Sequence, residues 1–203
     1  MDRRCDRVRT QRPSAEDRWS RAHRRDDSLM FARPRDVARL GLMASAAIVL
    51  FAFESLVPKP LPWMRLGLGN LPVLVALVSF GGGPALAIST IKLVVGGLLS
   101  GGFAGPAFVI GGGAGLASWL VMVAVRRIGA RLFSVVGLSI WGALAHQLSQ
   151  LALAAGYIGH SGLFALLPLA LFSALVSGGV IGLLAWWTLE QLAKIGWLDQ
   201  GQL

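Results

Sequence analysis

The sequence predicts an all-α membrane protein, a bundle of six transmembrane helices whose second segment is short and interrupted. Three observations carry this. The 203 residues are 55% hydrophobic and 14% charged, with a mean hydropathy of +0.65, which is too apolar for an ordinary water-soluble domain. Charge is segregated, because residues 1–39 hold 12 of the 19 Lys and Arg and 7 of the 10 Asp and Glu. Finally, the run from Leu132 to Leu189 has no Asp, Glu, Lys or Arg over 58 residues. As one helix it would measure about 87 Å against a hydrocarbon core of about 30 Å. It therefore crosses twice, turning at GYIGHSG, residues 156–162.

Residues 1–35 mix both charges with little periodic apolar pattern and read as a disordered basic cytoplasmic tail. The net charge of +9 is mainly a property of this tail and its flank, so it indicates no nucleic-acid-binding domain. Cys5 is the single cysteine, which excludes an internal disulfide, and no metal-ligand spacing surrounds it. Arg3-Arg4 is too far from the first apolar stretch to begin a twin-arginine signal. Arg24, Arg25, Arg33, Arg35 and Arg39 either touch anionic lipid head groups, worth about 1 kcal/mol each near the surface, or serve only to set topology. Residues 36–192 form the six-helix domain, and 193–203 a short cytoplasmic tail.

Within the domain, apolar segments cover 37–58, closed by Pro58-Lys59-Pro60, then 84–100 and 106–125. The segment between them, NLPVLVALVSF (70–80), is bounded by GLGN and GGGP. Eleven helical residues cover only about 17 Å, too little to span. Such interrupted segments are tolerated where freed backbone groups meet protein or a wet cavity, which makes 65–72 a candidate site lining. With the N-terminus inside, the tail, RRIGAR (126–131) and Lys194 are cytoplasmic, leaving Lys59 and Arg65 outside, as the positive-inside rule requires.

Polar groups inside this apolar frame are the candidate functional residues. In LSIWGALAHQLSQ (138–150), Ser139, Ala143, His146 and Gln150 fall on one helical stripe, with Gln147 to the side. The stripe suits either a polar ligand or a hydrogen bond to a neighbouring helix, worth about 0.6 kcal/mol on average. Lys92 sits mid-segment, sharing its face with Ser89, Gly96 and Ser100. A lysine near the bilayer centre costs about 2.5–3.5 kcal/mol on insertion scales and needs a partner, either Glu54 or an anionic ligand group. Arg65 precedes GLGN, where Gly67 and Gly69 permit unusual backbone angles, Asn70 is placed to cap the short helix, and Pro72 fits its first turn. A helix N-terminus beside arginine also attracts anions. The spacings Gly111-x-x-x-Gly115 with Ser118, Ser173-x-x-x-Ser177 and Gly178-x-x-x-Gly182 read as close helix packing, since no strand or Lys-Ser/Thr signature marks a phosphate loop.

RLGLGNLPVL (65–74), Lys92, SxxGAxAHQxxQ (139–150) and LLPLAL (166–171) together resemble the Gx transporter family, also labelled heptaprenyl diphosphate synthase component I, over 37–190. The resemblance aligns Glu54 and Pro58 with a Glu and Pro late in the first helix. It aligns Arg65, Gly67, Leu68 and Asn70 with a basic residue before GLxN, and Gly142, Ala143, His146 and Gln150 with GAxAHxxxQ. Lys92 stands where arginine is usual, which weakens any bidentate grip on carboxylate or phosphate.

The family is similar to the substrate-binding S components of energy-coupling-factor transporters. That implies six helices, a ligand pocket towards the outside, no ATP site, and a first-helix face of small residues meeting a coupling subunit. Gly41 and Ser45 are the imperfect counterpart here, with Ala44, Ala46 and Ala47 beside them. The enzyme label implies magnesium-binding DDxxD aspartates, but the chain's only adjacent pair is Asp26-Asp27, in the tail. The expectation is a non-enzymatic, multi-pass bacterial inner-membrane protein with both termini cytoplasmic. It binds a small polar or anionic solute through Arg65, Asn70, Lys92, His146 and Gln150, with Glu54 serving Lys92 or a coupling cation, and it works with partner subunits. No cofactor, metal or nucleic acid is expected. The alternative is a non-catalytic membrane subunit of a polyprenyl diphosphate synthase or of a redox complex.

Overall fold

The computed structural model describes residues 34–56, 67–129 and 133–197. Arg65, Pro58, Lys59, Arg131 and the expected tail through Arg33 lie outside the described residues. The chain divides into two units, Met1–Arg39 and Leu40–Leu203. The described part of the first unit is the opening of α1 (Pro34–Leu56), where Asp36 in the first turn lies 3.8 Å from Arg39, an acidic side chain at the positive end of the helix dipole.

Every regular element among the described residues is helical: α1, α2 (Leu71–Phe80), α3 (Gly82–Leu99), α4 (Pro106–Gly129), α5 (Val135–Ile158) and α6 (Leu167–Lys194), with 3₁₀ turns at Leu68–Asn70 and Ser161–Leu166. Local chemistry sets the boundaries. Gly81, at φ +93°, breaks α2 from α3. The Ser134 hydroxyl accepts the Gly137 N–H to open α5, and Gly159, at φ +73°, closes it in the left-handed conformation. The turn expected at 156–162 is therefore later and longer, running through the second 3₁₀ turn to Leu166.

Four helical stretches, within α1, α3, α4 and α6 with its preceding 3₁₀ turn, have the length and apolarity to cross a membrane. Six crossings were expected. Helix α2 has only 10 residues. Helix α5 has 24 residues and no charge, but His146, Gln147 and Gln150 depress its hydropathy. The surface is apolar, with Leu42, Val49, Phe53, Val109, Phe172, Trp186 and Trp187 all more than half exposed, as a lipid-facing exterior requires.

In the second unit, α2 packs on α3, α3 on α4, α4 on α5, α5 on α6, and α6 back on α2. The short helix is the core of this cycle, with Val73, Leu74, Val75, Ala76 and Leu77 each 4% exposed or less. A helix apolar on all sides is one buried on all sides. Backbone groups at its ends that the bundle covers need protein partners. Arg126 Nη2 donates to the Val78 carbonyl at 2.9 Å, and just beyond the helix Trp119 Nε1 donates to the Gly82 carbonyl at the start of α3 at 2.9 Å. At the other end, the Gly67 N–H donates to Glu54 Oε1 at 2.8 Å.

The glycine spacings separate into two kinds. A Cβ added at Gly182 would stand 2.7 Å from Val136 Cα, and one at Gly178 would stand 2.9 Å from Ala143 Cβ and 3.0 Å from Ile140 Cα. These two glycines let α5 and α6 touch backbone to backbone. Gly111 and Gly115, expected in the same role, have nothing within 4 Å of an added Cβ. The glycines of α4 that meet neighbours are instead Gly112, under Leu93, and Gly113, under Leu153. The GxxxG spacing marks a face but not what lies against it. Unfolding of the purified protein in mixed micelles should show Gly182→Ala destabilised by about 1–3 kcal/mol through overpacking. Gly111→Ala and Gly115→Ala should be neutral or more stable by about 0.5–1 kcal/mol, because helix propensity rises and nothing is struck.

Candidate functional site

A cavity of about 200 Å³ opens inside the cycle of helices, and among its lining side chains are Glu54, Asn70, Lys92, His146 and Gln147. Its floor is organised by the 3₁₀ turn before α2. Gly67, at φ +78°, takes the left-handed conformation that glycine adopts at no steric cost. Gly69 is needed for closeness: a Cβ there would stand 3.1 Å from Phe51 Cβ and 3.3 Å from the Ala47 carbonyl, so the turn lies directly on α1. This contact brings Glu54 to the Gly67 N–H and buries it to 7% exposure.

Asn70 occupies the N-cap position of α2, but its side chain does not cap the helix. Its Oδ1 instead accepts a hydrogen bond from Lys92 Nζ. The cap expected from sequence is thus replaced by a tertiary bond, because the 3₁₀ turn directs the amide into the cavity where the α3 ammonium also enters. An ion–amide bond is a strong one, and Asn70 joins the two candidate partners of Lys92 considered above. On the Lys92 face of α3, Ser89 and Ser100 line the cavity, whereas Gly96 is covered by the Phe51 ring.

Helix α5 contributes Ser139, Gly142, Ala143, His146 and Gln147 to the lining, and the His146 Nδ1 atom is buried. Gln150 is not among the lining residues, although it shares the stripe in projection. It stands about 6 Å beyond His146 along the helix axis, a coordinate that a helical wheel discards. Gln147, to the side of the stripe and expected as a helix contact, donates to the Ser173 hydroxyl on α6 at 3.3 Å, and it also lines the cavity. Ser118 is buried, and its hydroxyl donates to the Gly142 carbonyl at 2.8 Å, tying α4 to α5 at the cavity wall.

Gly111 and Gly115 also line the cavity, which accounts for the open space beside them. Gly41 and Ser45 are exposed on α1, and the Ser45 hydroxyl turns back to the Gly41 carbonyl at 2.9 Å. Among the described residues no three His, Cys, Asp or Glu side chains gather as a metal site. What sequence reasoning missed were the cavity's aromatic and bare-backbone parts: Phe51, Phe108, Trp119, Gly111 and Gly115. In an apolar chain such residues carry no local signal that separates a cavity wall from helix packing.

Compared with known proteins, residues 43–187 match the family model described as heptaprenyl diphosphate synthase component I. No curated protein and no solved structure matches the chain.

The Lys92–Asn70 bond can be tested by a double-mutant cycle on unfolding stability. Asn70→Ala takes an acceptor from a part-buried ammonium and should cost about 1–3 kcal/mol. In the Lys92→Met background the same change should cost measurably less, because both partners are then gone. Additive losses would show that the two side chains are not coupled.

Proposed function

The chain belongs to the heptaprenyl diphosphate synthase component I family of membrane proteins, and from that premise we propose that it is the substrate-binding component of a membrane transport system. It takes a small polar or anionic solute and works with partner subunits. The observation that carries this reading is the cavity itself, into which α1, α3, α5 and the turn before α2 all send polar or charged groups. A single bridging water needs only about 10–15 Å³, so about 200 Å³ is far more than interhelical hydrogen bonds require in otherwise close-packed protein. Lys92 and Asn70 supply donors for an anion. Glu54, held by the Gly67 N–H, is a fixed carboxylate at the same site, suited to a cation moving with the solute or to a donor group on it. Arg65, expected from the sequence to bind the solute, lies outside the described residues. In this reading Gln150 is outside the ligand shell and Gln147 is inside it, and the solute enters from the outer face of the membrane.

The family's description favours a second reading, in which the chain is a membrane partner of a prenyl diphosphate synthase. It would then bring no diphosphate-binding aspartates of its own, since Asp26-Asp27 is the only adjacent pair. Binding separates the two readings. Purified wild type titrated with a panel of small carboxylates, phosphates and amino acids should bind at least one of them. The Lys92→Ala/His146→Ala double variant should bind that solute at least about tenfold more weakly, about 1.4 kcal/mol. Equal binding by both proteins, together with co-purification of a soluble prenyltransferase, would transfer the assignment to the second reading.

A further inference from the structure

Resting on the solute-binding reading, we infer that Gly111 and Gly115 form the specificity-determining wall of the cavity, a bare strip of α4 backbone kept open for the flat ring of an aromatic monocarboxylate. Glycine inside a helix is unfavourable unless something uses the missing side chain. Most of the other glycines lining this cavity from helices have such a use: an added Cβ would come within 2.9 Å of a neighbour at Gly97, Gly112, Gly142 and Gly178. Gly111 and Gly115 line the same cavity and meet nothing within 4 Å.

These two glycines lie on one face of α4, which continues at spacings of three or four through Phe108, Ser118 and Met122, all cavity-lining. Bare glycine faces in this bundle accept aliphatic chains, as at Gly112 and Gly113, and also flat rings. The Phe51 ring rests on Gly96, with Cε1 2.5 Å from where a Cβ would stand, and the Phe108 ring rests on Gly97, with Cδ2 at 2.7 Å. A pair four residues apart exposes about 6 Å of backbone along the axis, the scale of one six-membered ring. Phe51, Phe108 and Trp119 line the same space and give such a ring aromatic neighbours.

The charge follows from what stands nearby. Leu93 packs on Gly112, with Cδ2 2.8 Å from the position of an added Cβ, so Lys92 enters the cavity within about one helical turn of the bare strip. An ammonium there matches a carboxylate attached to the ring. Glu54 in the same cavity repels a second negative charge, so a monocarboxylate fits better than a phosphate dianion.

Calorimetric titration of the full chain in lipid nanodiscs, with benzoate, cyclohexanecarboxylate and acetate as probes, tests this inference. The two rings share a head group and a carbon count but differ in flatness. Wild type should bind benzoate at least about tenfold more tightly than cyclohexanecarboxylate, and Gly111→Leu and Gly115→Leu should each weaken benzoate about tenfold more than they weaken acetate. Gly115→Ala, whose Cβ strikes nothing, should keep or raise the unfolding midpoint while weakening benzoate by about threefold or more. It keeps the inference testable should a leucine variant fail to fold.

Equal affinity for the two rings, or folded glycine variants that bind benzoate like wild type, overturns the ring wall. If Lys92→Ala nonetheless loses all three carboxylates, the solute-binding reading survives that result. A wild type that binds none of the three probes overturns the wall and counts against the solute-binding reading as well.

Discussion

A ten-residue apolar helix placed inside a membrane protein creates a constraint that most of this structure answers. Helix α2 is too short to carry its ends to water, and each end has backbone donors or acceptors that no longer pair within the helix. In hydrocarbon an unmet amide or carbonyl costs several kcal/mol. Side chains from elsewhere in sequence supply partners: Arg126 from α4 donates to Val78 in the last turn of α2, and Glu54 from α1 accepts from Gly67 ahead of it, while Trp119 binds Gly82 at the start of α3. These bonds give Arg126, Glu54 and Trp119 partners within the bundle. They also tie α1 and α4 to the core helix without any hydrophobic drive, which is absent between helices in lipid.

The turn that opens this short segment lines the cavity together with residues of the longer helices. Into that space the 3₁₀ turn directs the Asn70 amide, and α3 directs Lys92. An ammonium at this depth is expensive, and the amide oxygen offsets part of that expense while leaving the group at a cavity wall.

Glycine works in two opposite ways in this chain. At Gly178 and Gly182 it brings α5 and α6 into backbone contact, and at Gly69 it lets the turn lie on α1. At Gly111 and Gly115 it withholds a side chain from a space that the neighbouring helices leave open. The local spacing GxxxG is identical in the 111–115 and 178–182 pairs. The difference comes from whether a partner helix crosses at that level.

What the sequence determined by itself was whatever depends on solvent preference and chain length: the helical class, the long apolar segments, the non-spanning second segment, and Glu54, Asn70, Lys92 and His146 as polar groups needing partners. The family was legible too, in GLGN and GAxAHQxxQ. The tertiary structure alone decided the partners. It turned Asn70 from a helix cap into an acceptor for Lys92, left Gln150 off the cavity lining while adding Gln147 to it beside its helix contact, and moved Gly111 and Gly115 from helix packing to a cavity wall. The physical reason is the same in each case. Periodicity places a side chain on a face of its own helix, but what that face meets depends on the axial level and crossing of a second helix, and those are settled only by packing.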